Sequence, residues 1–346
     1  MHQTPNIFHH ATSELSQDAF LAWLCEWADD KYVSHPSGMH HAGRAFISWL
    51  FGKKGLPTPA YTKVDVQLQY LHIDVLVKLT LSDGGIRYLL IEDKTYTSDH
   101  SEQINGYLQA LREKDAIEDP SHVLPVYFKS SLEPRKNDGI LRLYLTDIME
   151  CVGVLDKMTY QSEVLRSWCD ARMEEHTTHE KYRSLPVTSW ENAQWYGCFD
   201  QMSRRDEMIE MEAGYGYVPL GDFLGFWLGW EGKPKDWCTY IQVDVINDRD
   251  PSITFRIASP EGLKVDKARM QAAFKAVEKT AINLGKRLNY PKWARGGGKS
   301  SRFAVLDEPF MSSNRDGRFD EELFAKQLVA CRTILVESEA HMEIGV

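Results

Sequence analysis

Three successive segments with the character of β-strands, within residues 62–94, constrain the fold of this chain more than any other feature. Residues 62–70 alternate strictly between apolar and polar side chains. Residues 72–80 are rich in Ile, Val and Leu, and residues 87–94 contain the run Tyr-Leu-Leu-Ile. Both patterns favour strands. Because Ser-Asp-Gly-Gly at 82–85 is a strong turn signal, we expect the last two strands to form a hairpin.

Helical patterns flank these strands. Residues 13–30 carry apolar side chains at helical spacing, with Ser16 predicted as the N-cap and Asp18 in the first turn. Residues 34–60 are rich in His, Gly and Pro and predict a loop around a short amphipathic segment near 46–50. A helix is predicted at 102–114 and a buried strand at 123–128. The expected order over residues 13–128 is therefore α-β-β-β-α-β, which is an α/β fold.

The second half of the chain predicts a separate α+β region. Strands at 239–246 and 253–258 form a hairpin around Asn-Asp-Arg-Asp-Pro, and a long helix follows at 265–288. Residues 150–185 have a helical, charged pattern. We expect a core at 1–150, a helical connector at 151–189 and a C-terminal region at 190–346 for substrate contact, sensing or dimerisation.

Polar side chains converge on the predicted hairpin. If Asp83 and Gly84 occupy the turn, Asp74 lies opposite Asp93; a one-residue change of turn moves its partner to Glu92 or Lys94. Strand side chains alternate, so Glu92 and Lys94 share one face while Asp93 points to the other. Two carboxylates and an ammonium group meet where apolar side chains belong. Because burying them unpaired is costly, we expect a divalent cation, and Mg²⁺ prefers such oxygen ligands.

These residues resemble a known motif. Asp74, followed after seventeen residues by Glu92-Asp93-Lys94, resembles the D…(D/E)xK motif of the PD-(D/E)XK nuclease superfamily. Gln103 and Tyr107, four residues apart on the next helix, are similar to the QxxxY motif of its RecB-like and lambda-exonuclease-like branches. The segment Glu14-Leu-Ser resembles the first-helix motif of a bacterial subfamily whose N-terminal glutamate joins the metal shell.

The resemblance implies a restriction-endonuclease-like core with a mixed central sheet, and a Mg²⁺-dependent deoxyribonuclease in which Mn²⁺ can substitute. It implies that Asp74, Glu92 and the Asp93 carbonyl bind metal, with Glu14 as an auxiliary ligand. Lys94 would orient the attacking water, and Gln103 and Tyr107 would position DNA. A role in bacterial genome defence or DNA processing is implied by analogy alone. One departure is plain, since His72-Ile-Asp74 stands where the superfamily has its proline.

Charge is distributed unevenly along the chain. The net charge is −10, yet residues 264–302 contain eleven Lys and Arg against Asp266 and Glu278, a local excess of +9. The remainder therefore carries −19. A segregated basic tract suits phosphate contact, although many such tracts are only solvated faces. The candidate nucleic-acid-binding residues in this tract are Lys275, Lys279, Lys286, Lys292, Arg295, Lys299 and Arg302.

The sequence also indicates the cellular compartment and whether the chain contacts a membrane. No apolar run reaches the roughly 18 residues needed to span a bilayer, and the first ten residues lack the features of a signal peptide. Six cysteines lie far apart without zinc spacing, so reduced thiols are expected. We expect a cytoplasmic protein with no membrane contact.

Two other hypotheses remain open at this point. The chain could be a catalytically silent member of the same fold that binds nucleic acid or a protein partner. Alternatively, its C-terminal half could sense an activating ligand or partner and release nuclease activity. Tryptophans such as those at 227 and 230 could stack bases, but the apolar run at 225–230 favours core packing or a homodimer interface over that role.

Overall fold

The computed structural model of the chain describes residues 5–95, 103–136, 138–218, 223–230, 236–245, 251–260, 263–291, 297–308 and 317–339. The chain divides into two compact units, Met1–Thr177 (unit 1) and Thr178–Val346 (unit 2). This boundary falls inside the segment 151–189 that the sequence indicated as a connector. All six cysteines are free thiols.

Unit 1 is an α/β unit built on a mixed five-stranded sheet. Its elements are α1 (Glu14–Glu26), α2 (Met39–Lys53), β1 (Tyr61–Tyr70), β2 (Ile73–Leu81), β3 (Ile86–Lys94), α3 (Gln103–Lys114), β4 (Val123–Lys129), β5 (Leu141–Leu143), α4 (Leu145–Asp156) and α5 (Glu163–Glu180), the last of which crosses the boundary. The strands lie in the order β1-β2-β3-β4-β5. The first three are antiparallel, and β3, β4 and β5 run parallel.

The sheet of unit 1 has two buried faces with different partners. On one face, Leu89 and Ile91 pack in a core with side chains of α1 and α2, including Leu21; we call this the α1 face. On the other, Leu90 and Tyr127 pack with side chains of α3, which defines the α3 face. Since side chains alternate along a strand, Glu92 and Lys94 share the α3 face with Leu90, and Asp93 belongs to the α1 face.

Unit 2 is built on an antiparallel six-stranded sheet. Its elements are α6 (Asn192–Ser203), α7 (Asp206–Glu210), β6 (Gly214–Val218), β7 (Phe223–Leu228), β8 (Cys238–Val245), β9 (Ser252–Ala258), α8 (Lys267–Asn283), β10 (Leu288–Asn289), β11 (Ser300–Leu306) and α9 (Glu321–Glu339). The strand order is β10-β11-β9-β8-β7-β6. One core joins Ile241 and Phe255 of the sheet to side chains of α6, α8 and α9, and it also buries Phe226 and Leu228 of the apolar run.

The prediction of a loop at 34–60 is wrong over most of that segment, because α2 occupies Met39–Lys53. Ala42, Phe46, Ile47 and Leu50 recur at helical spacing and are completely buried. Gly43 and the histidines at 40 and 41 obscured this period. Gly43 is required there, because a Cβ at this position would lie 2.6 Å from the Leu24 carbonyl oxygen of α1.

Two predicted helix boundaries also need correction. The N-cap of α1 is Ser13 rather than Ser16, since Ser13 Oγ accepts a hydrogen bond from the Ser16 backbone N–H at 3.3 Å. The helix predicted at 265–288 ends at Asn283, and Leu288 lies in β10. Gly285 follows the helix with φ 69°, the left-handed conformation that often ends a helix.

Candidate active site

The register of the β2–β3 hairpin brings the two predicted metal-binding carboxylates together. Val75 pairs with Ile91, so the next position along each strand sets Asp74 opposite Glu92. Of the three partners that the turn left open for Asp74, the structure therefore selects Glu92. The Asp93 backbone N–H also donates a hydrogen bond to Asp74 Oδ2 at 2.9 Å.

Asp74 follows a strained turn between β1 and β2. Gln69, Leu71 and His72 have φ values of 56°, 53° and 67°, which side chains other than glycine rarely adopt. Gln69 Nε2 donates to Asp74 Oδ1 at 3.1 Å. Both oxygens of Asp74 are thus held by the surrounding strands.

Lys94 lies between the two carboxylates on the α3 face. Its Nζ is 2.6 Å from Glu92 Oε1 and 3.6 Å from Asp74 Oδ2, and it donates to the Asp93 carbonyl oxygen at 2.9 Å. Burial lowers the pKa of Lys94, but the contact with Glu92 and the charge of Asp74 outweigh burial and raise it overall. Lys94 is therefore a cation at neutral pH, suited to balancing charge and orienting water.

Glu92 is the most deeply buried member of the group, with a side chain only 1% exposed. Among the described residues, neither of its carboxylate oxygens accepts a hydrogen bond of good geometry, although Lys94 is in ionic contact. Burial raises the pKa of Glu92 to about 7. The negative charge of Asp74 adds to this increase, and the contact with Lys94 opposes it. The fold thus holds a buried carboxylate whose negative charge Lys94 compensates only in part.

A second pair of carboxyl groups lies behind the site, on the α1 face. Gln17 Nε2 donates to Asp93 Oδ1 at 2.5 Å, and Asp18 is 3% exposed. Burial raises the pKa of Asp18 to about 7, helped by the charge of Asp74 and opposed by a hydrogen bond with Asp93. Burial likewise raises the pKa of Asp93 well above its usual range. From the sequence, Asp18 was placed only in the first turn of α1. Its position among the apolar residues of that helix could have indicated a buried carboxyl group.

A second buried lysine stands beside the first. Lys129 pairs in register with Lys94 on the adjacent parallel strand and is 2% exposed. Its Nζ lies 3.3 Å from Glu133 Oε2, to which Tyr127 Oη also donates at 2.8 Å. Burial lowers the pKa of Lys129 despite Glu133. Lys129 was not among the residues predicted for the site. Its position at the end of an apolar strand could have indicated a buried lysine.

The remaining predicted site residues lie around this group. Glu14 Oε1 accepts a hydrogen bond from the Thr95 backbone N–H at 3.4 Å and raises the pKa of Lys94 electrostatically, which places its carboxylate near the end of β3. Gln103 Nε2 donates to Tyr107 Oη at 2.7 Å, so these two side chains contact each other. Tyr107 packs beside the core of the α3 face, the face that carries Glu92 and Lys94.

The basic tract of unit 2 is partly used in ion pairs. Lys286 Nζ lies 2.9 Å from Glu308 Oε1, and the guanidinium of Arg302 pairs with the buried carboxylate of Asp244. Lys275, Lys279 and Lys299 are exposed. The predicted residues Lys292 and Arg295 lie outside the described part of the chain.

The donors present suit Mg²⁺. The described residues contain no group of three or more His, Cys, Asp or Glu side chains arranged to hold a metal ion. Mg²⁺ needs only one or two carboxylates, because water and phosphate supply its other ligands. Asp74 and Glu92 provide two, and the oxygens of Glu92 are buried with Lys94 as their close ionic contact. This donor set therefore fits a hard divalent cation.

Comparisons with protein-family models, curated proteins and solved structures found no match to this chain. Within the described ranges, no helix has the length and apolar character to cross a membrane.

Proposed function

We propose that the chain is a Mg²⁺-dependent nuclease that hydrolyses phosphodiester bonds of DNA, and that unit 1 is a restriction-endonuclease-like core of the PD-(D/E)XK kind. The observation that carries this proposal is Glu92, a buried carboxylate whose only close cation among the described residues is Lys94, set opposite Asp74. The order α1, α2, β1–β3, α3, β4 supports the fold part, since it contains α-β-β-β-α-β with one added helix.

In this proposal Asp74, Glu92 and the Asp93 carbonyl would hold the cation, which would supply a more acidic bound water and charge compensation for the phosphate. Lys94 keeps its proton, because both carboxylates favour its charged form. Its ammonium group can therefore donate hydrogen bonds to water or to a phosphate oxygen. Gln17 fixes Asp93 from the opposite face of the sheet and so positions the carbonyl.

A purely structural ion pair explains the same residues less well. Charged groups are removed from water at a cost of several kcal/mol each, and apolar side chains of similar volume often serve stability equally well. The neighbouring positions Leu90 and Ile91 are completely buried and apolar, so the sheet offers such a solution. In a purely structural ion pair, the raised pKa of Glu92 is only a cost to stability. A bound cation would compensate the negative charge of Glu92 and so reduce that cost.

The test is a cleavage assay with plasmid DNA, single-stranded DNA and RNA, with and without Mg²⁺. We expect Mg²⁺-dependent cleavage of DNA and a loss of about 100-fold or more in Asp74→Ala and Lys94→Ala, because each removes charge stabilisation at the reacting phosphate. Asp65→Asn is the matched control, since Asp65 is an exposed carboxylate on β1 that pairs with Lys63 at 2.8 Å.

Equal activity in the wild type, Asp74→Ala and Lys94→Ala would end the nuclease proposal. Cleavage by all three that fails to respond to EDTA would point to a contaminating enzyme. Folding of each variant is checked by its thermal transition, so that loss of activity is not confused with loss of structure.

A further inference from the structure

A strongly basic pocket lies at the edge strand of the unit 1 sheet. It has a volume of about 330 Å³, and its apolar lining is limited to Ile140, Leu141 and Tyr144. Among the described residues that line it, five are cationic and none is acidic; they are Lys53, Lys54, Arg135, Lys136 and Arg142. We call this group the basic pocket. Such a concentration of positive charge is notable in a chain whose net charge is −10.

The sheet register connects the basic pocket with the candidate active site. Glu92 on β3 pairs with Tyr127 on β4, which pairs with Arg142 on β5. The guanidinium of Arg142 lies over the ring of Tyr127, 4.6 Å from its centroid, and Tyr127 packs on the α3 face. Two strand spacings correspond to roughly 10 Å. Arg142, one of the residues that line the basic pocket, therefore lies two strands away from Glu92 in the same sheet.

Carboxylates around the pocket hold its inner cations in place. The guanidinium of Arg142 is 3% exposed and bonds to Asp138, and Lys53 Nζ lies 3.1 Å from Asp147 Oδ1. Arg135 also contacts Asp147, at 3.0 Å. Lys53 Nζ also lies 3.2 Å from Glu150 Oε2, so five cations face three carboxylates and an excess of two positive charges remains.

The outer cations are accessible. Lys54, Arg135 and Lys136 are exposed, and Lys54 donates to the Gly139 carbonyl oxygen, which a phosphate oxygen could replace. Lysine is a common phosphate ligand, and its flexible stem lets it follow a backbone without reading sequence.

We propose that the basic pocket binds the phosphate backbone of the nucleic-acid strand whose scissile bond lies at Asp74, Glu92 and Lys94. This inference rests on the proposed function for the identity of the strand. It locates the main phosphate contact in unit 1, at the edge of the catalytic sheet, rather than in the basic tract of unit 2. The excess of positive charge and the position of the pocket two strands from β3 in the same sheet supply the reason.

The test measures DNA affinity by fluorescence anisotropy with EDTA present, so that the result does not depend on cleavage. The probes are a labelled duplex and its single strand, and salt is varied between about 50 and 200 mM. We expect Lys54→Gln with Lys136→Gln to weaken binding about tenfold and to lower the slope of log K against log salt by about 2. The matched control, Lys31→Gln with Lys63→Gln, removes two exposed lysines of unit 1 and should change affinity less than about twofold.

The outcomes separate this inference from the proposed function. If the wild type cleaves DNA but the double variant keeps its affinity, its salt slope and its KM, the basic pocket is not the contact and only the nuclease proposal survives. If nothing is cleaved but the double variant loses affinity, the nuclease proposal fails and the pocket stands as a nucleic-acid site. Absence of binding in the wild type, equal loss in the control, or competition by inorganic phosphate alone overturns the inference.

Discussion

The side chains of Asp18, Glu92 and Asp93 are carboxyl groups that lie almost entirely out of contact with solvent. Burial raises the pKa of all three, and Asp74 adds to the effect electrostatically. A raised carboxyl pKa means that the folded state disfavours the anion, so these residues reduce stability at neutral pH. A cation at Asp74 and Glu92 would offset part of that cost.

Asp18→Asn tests this argument at a residue that holds no metal in our account. Burial raises the pKa of Asp18 to about 7 in the folded chain, against the usual 3.8 of an exposed aspartate. The charge of Asp18 therefore costs the folded state no stability at a pH below its unfolded pKa. The cost grows as the pH rises from the unfolded to the folded pKa, and it is complete above pH 7. We expect Asp18→Asn to raise the free energy of unfolding by on the order of 2 kcal/mol at pH 8, and by less at pH 5.

Urea denaturation at the two pH values measures the difference, with exposed Asp65→Asn as the control that should gain nothing. A loss of stability in Asp18→Asn at pH 8 would show that the anion is well compensated, contrary to this account.

Sequence reasoning could place Asp74 beside the Glu-Asp-Lys segment, because the turn at 82–85 fixes the hairpin to within one residue. It could not choose Glu92 among three partners, since a shift of one residue in the turn changes the register. It also missed Asp18 and Lys129. Both depend on packing of α1 and β4 against β3, which are contacts between distant segments that local pattern does not encode.

At the scale of elements, the position of Gln17 and Asp18 depends on how closely α1 and α2 cross. Gly43 of α2 faces the backbone of α1, where an added Cβ would lie 2.6 Å from the Leu24 carbonyl oxygen and 2.7 Å from the Ala28 nitrogen. Backbone atoms cannot swing away as flexible side chains do, so any larger residue must separate the helices.

We expect Gly43→Ala to lower the free energy of unfolding by about 1–3 kcal/mol, because the clash outweighs the better helix propensity of alanine. Gly52→Ala is the matched control on the same helix, where nothing lies within 4 Å of the added Cβ. That variant should be neutral or more stable by up to about 1 kcal/mol. Thermal and urea unfolding measure both; similar values for the two glycines would contradict the close crossing.

The strands were more predictable than the helices. β1, β2 and β3 begin and end within one residue of the predicted segments, because alternation and the turn signal act over a few residues. The helix α2 was missed because its two glycines and two histidines interrupt the apolar period. The helix α8 was predicted too long, since Leu284 and Leu288 continue its period although Gly285 follows its end.

At the scale of the whole molecule, the chain has separate cores for its two units. The cores on the α1 and α3 faces use side chains only from unit 1, and the core of unit 2 draws on Tyr182 and later residues. The residues proposed for catalysis and the basic pocket all belong to unit 1. Unit 2 holds the basic tract that composition singled out, with Lys286 and Arg302 engaged in ion pairs.

Crystals soaked in Mn²⁺ test the central claim most directly, because anomalous scattering locates the ion independently of activity. We predict one peak bonded to oxygens of Asp74 and Glu92 at about 2.1 Å, with Lys94 moved off Glu92, and no such peak in Glu92→Gln crystals. A wild-type crystal with no anomalous density there, and with Lys94 Nζ still within ion-pair distance of Glu92, would contradict the account.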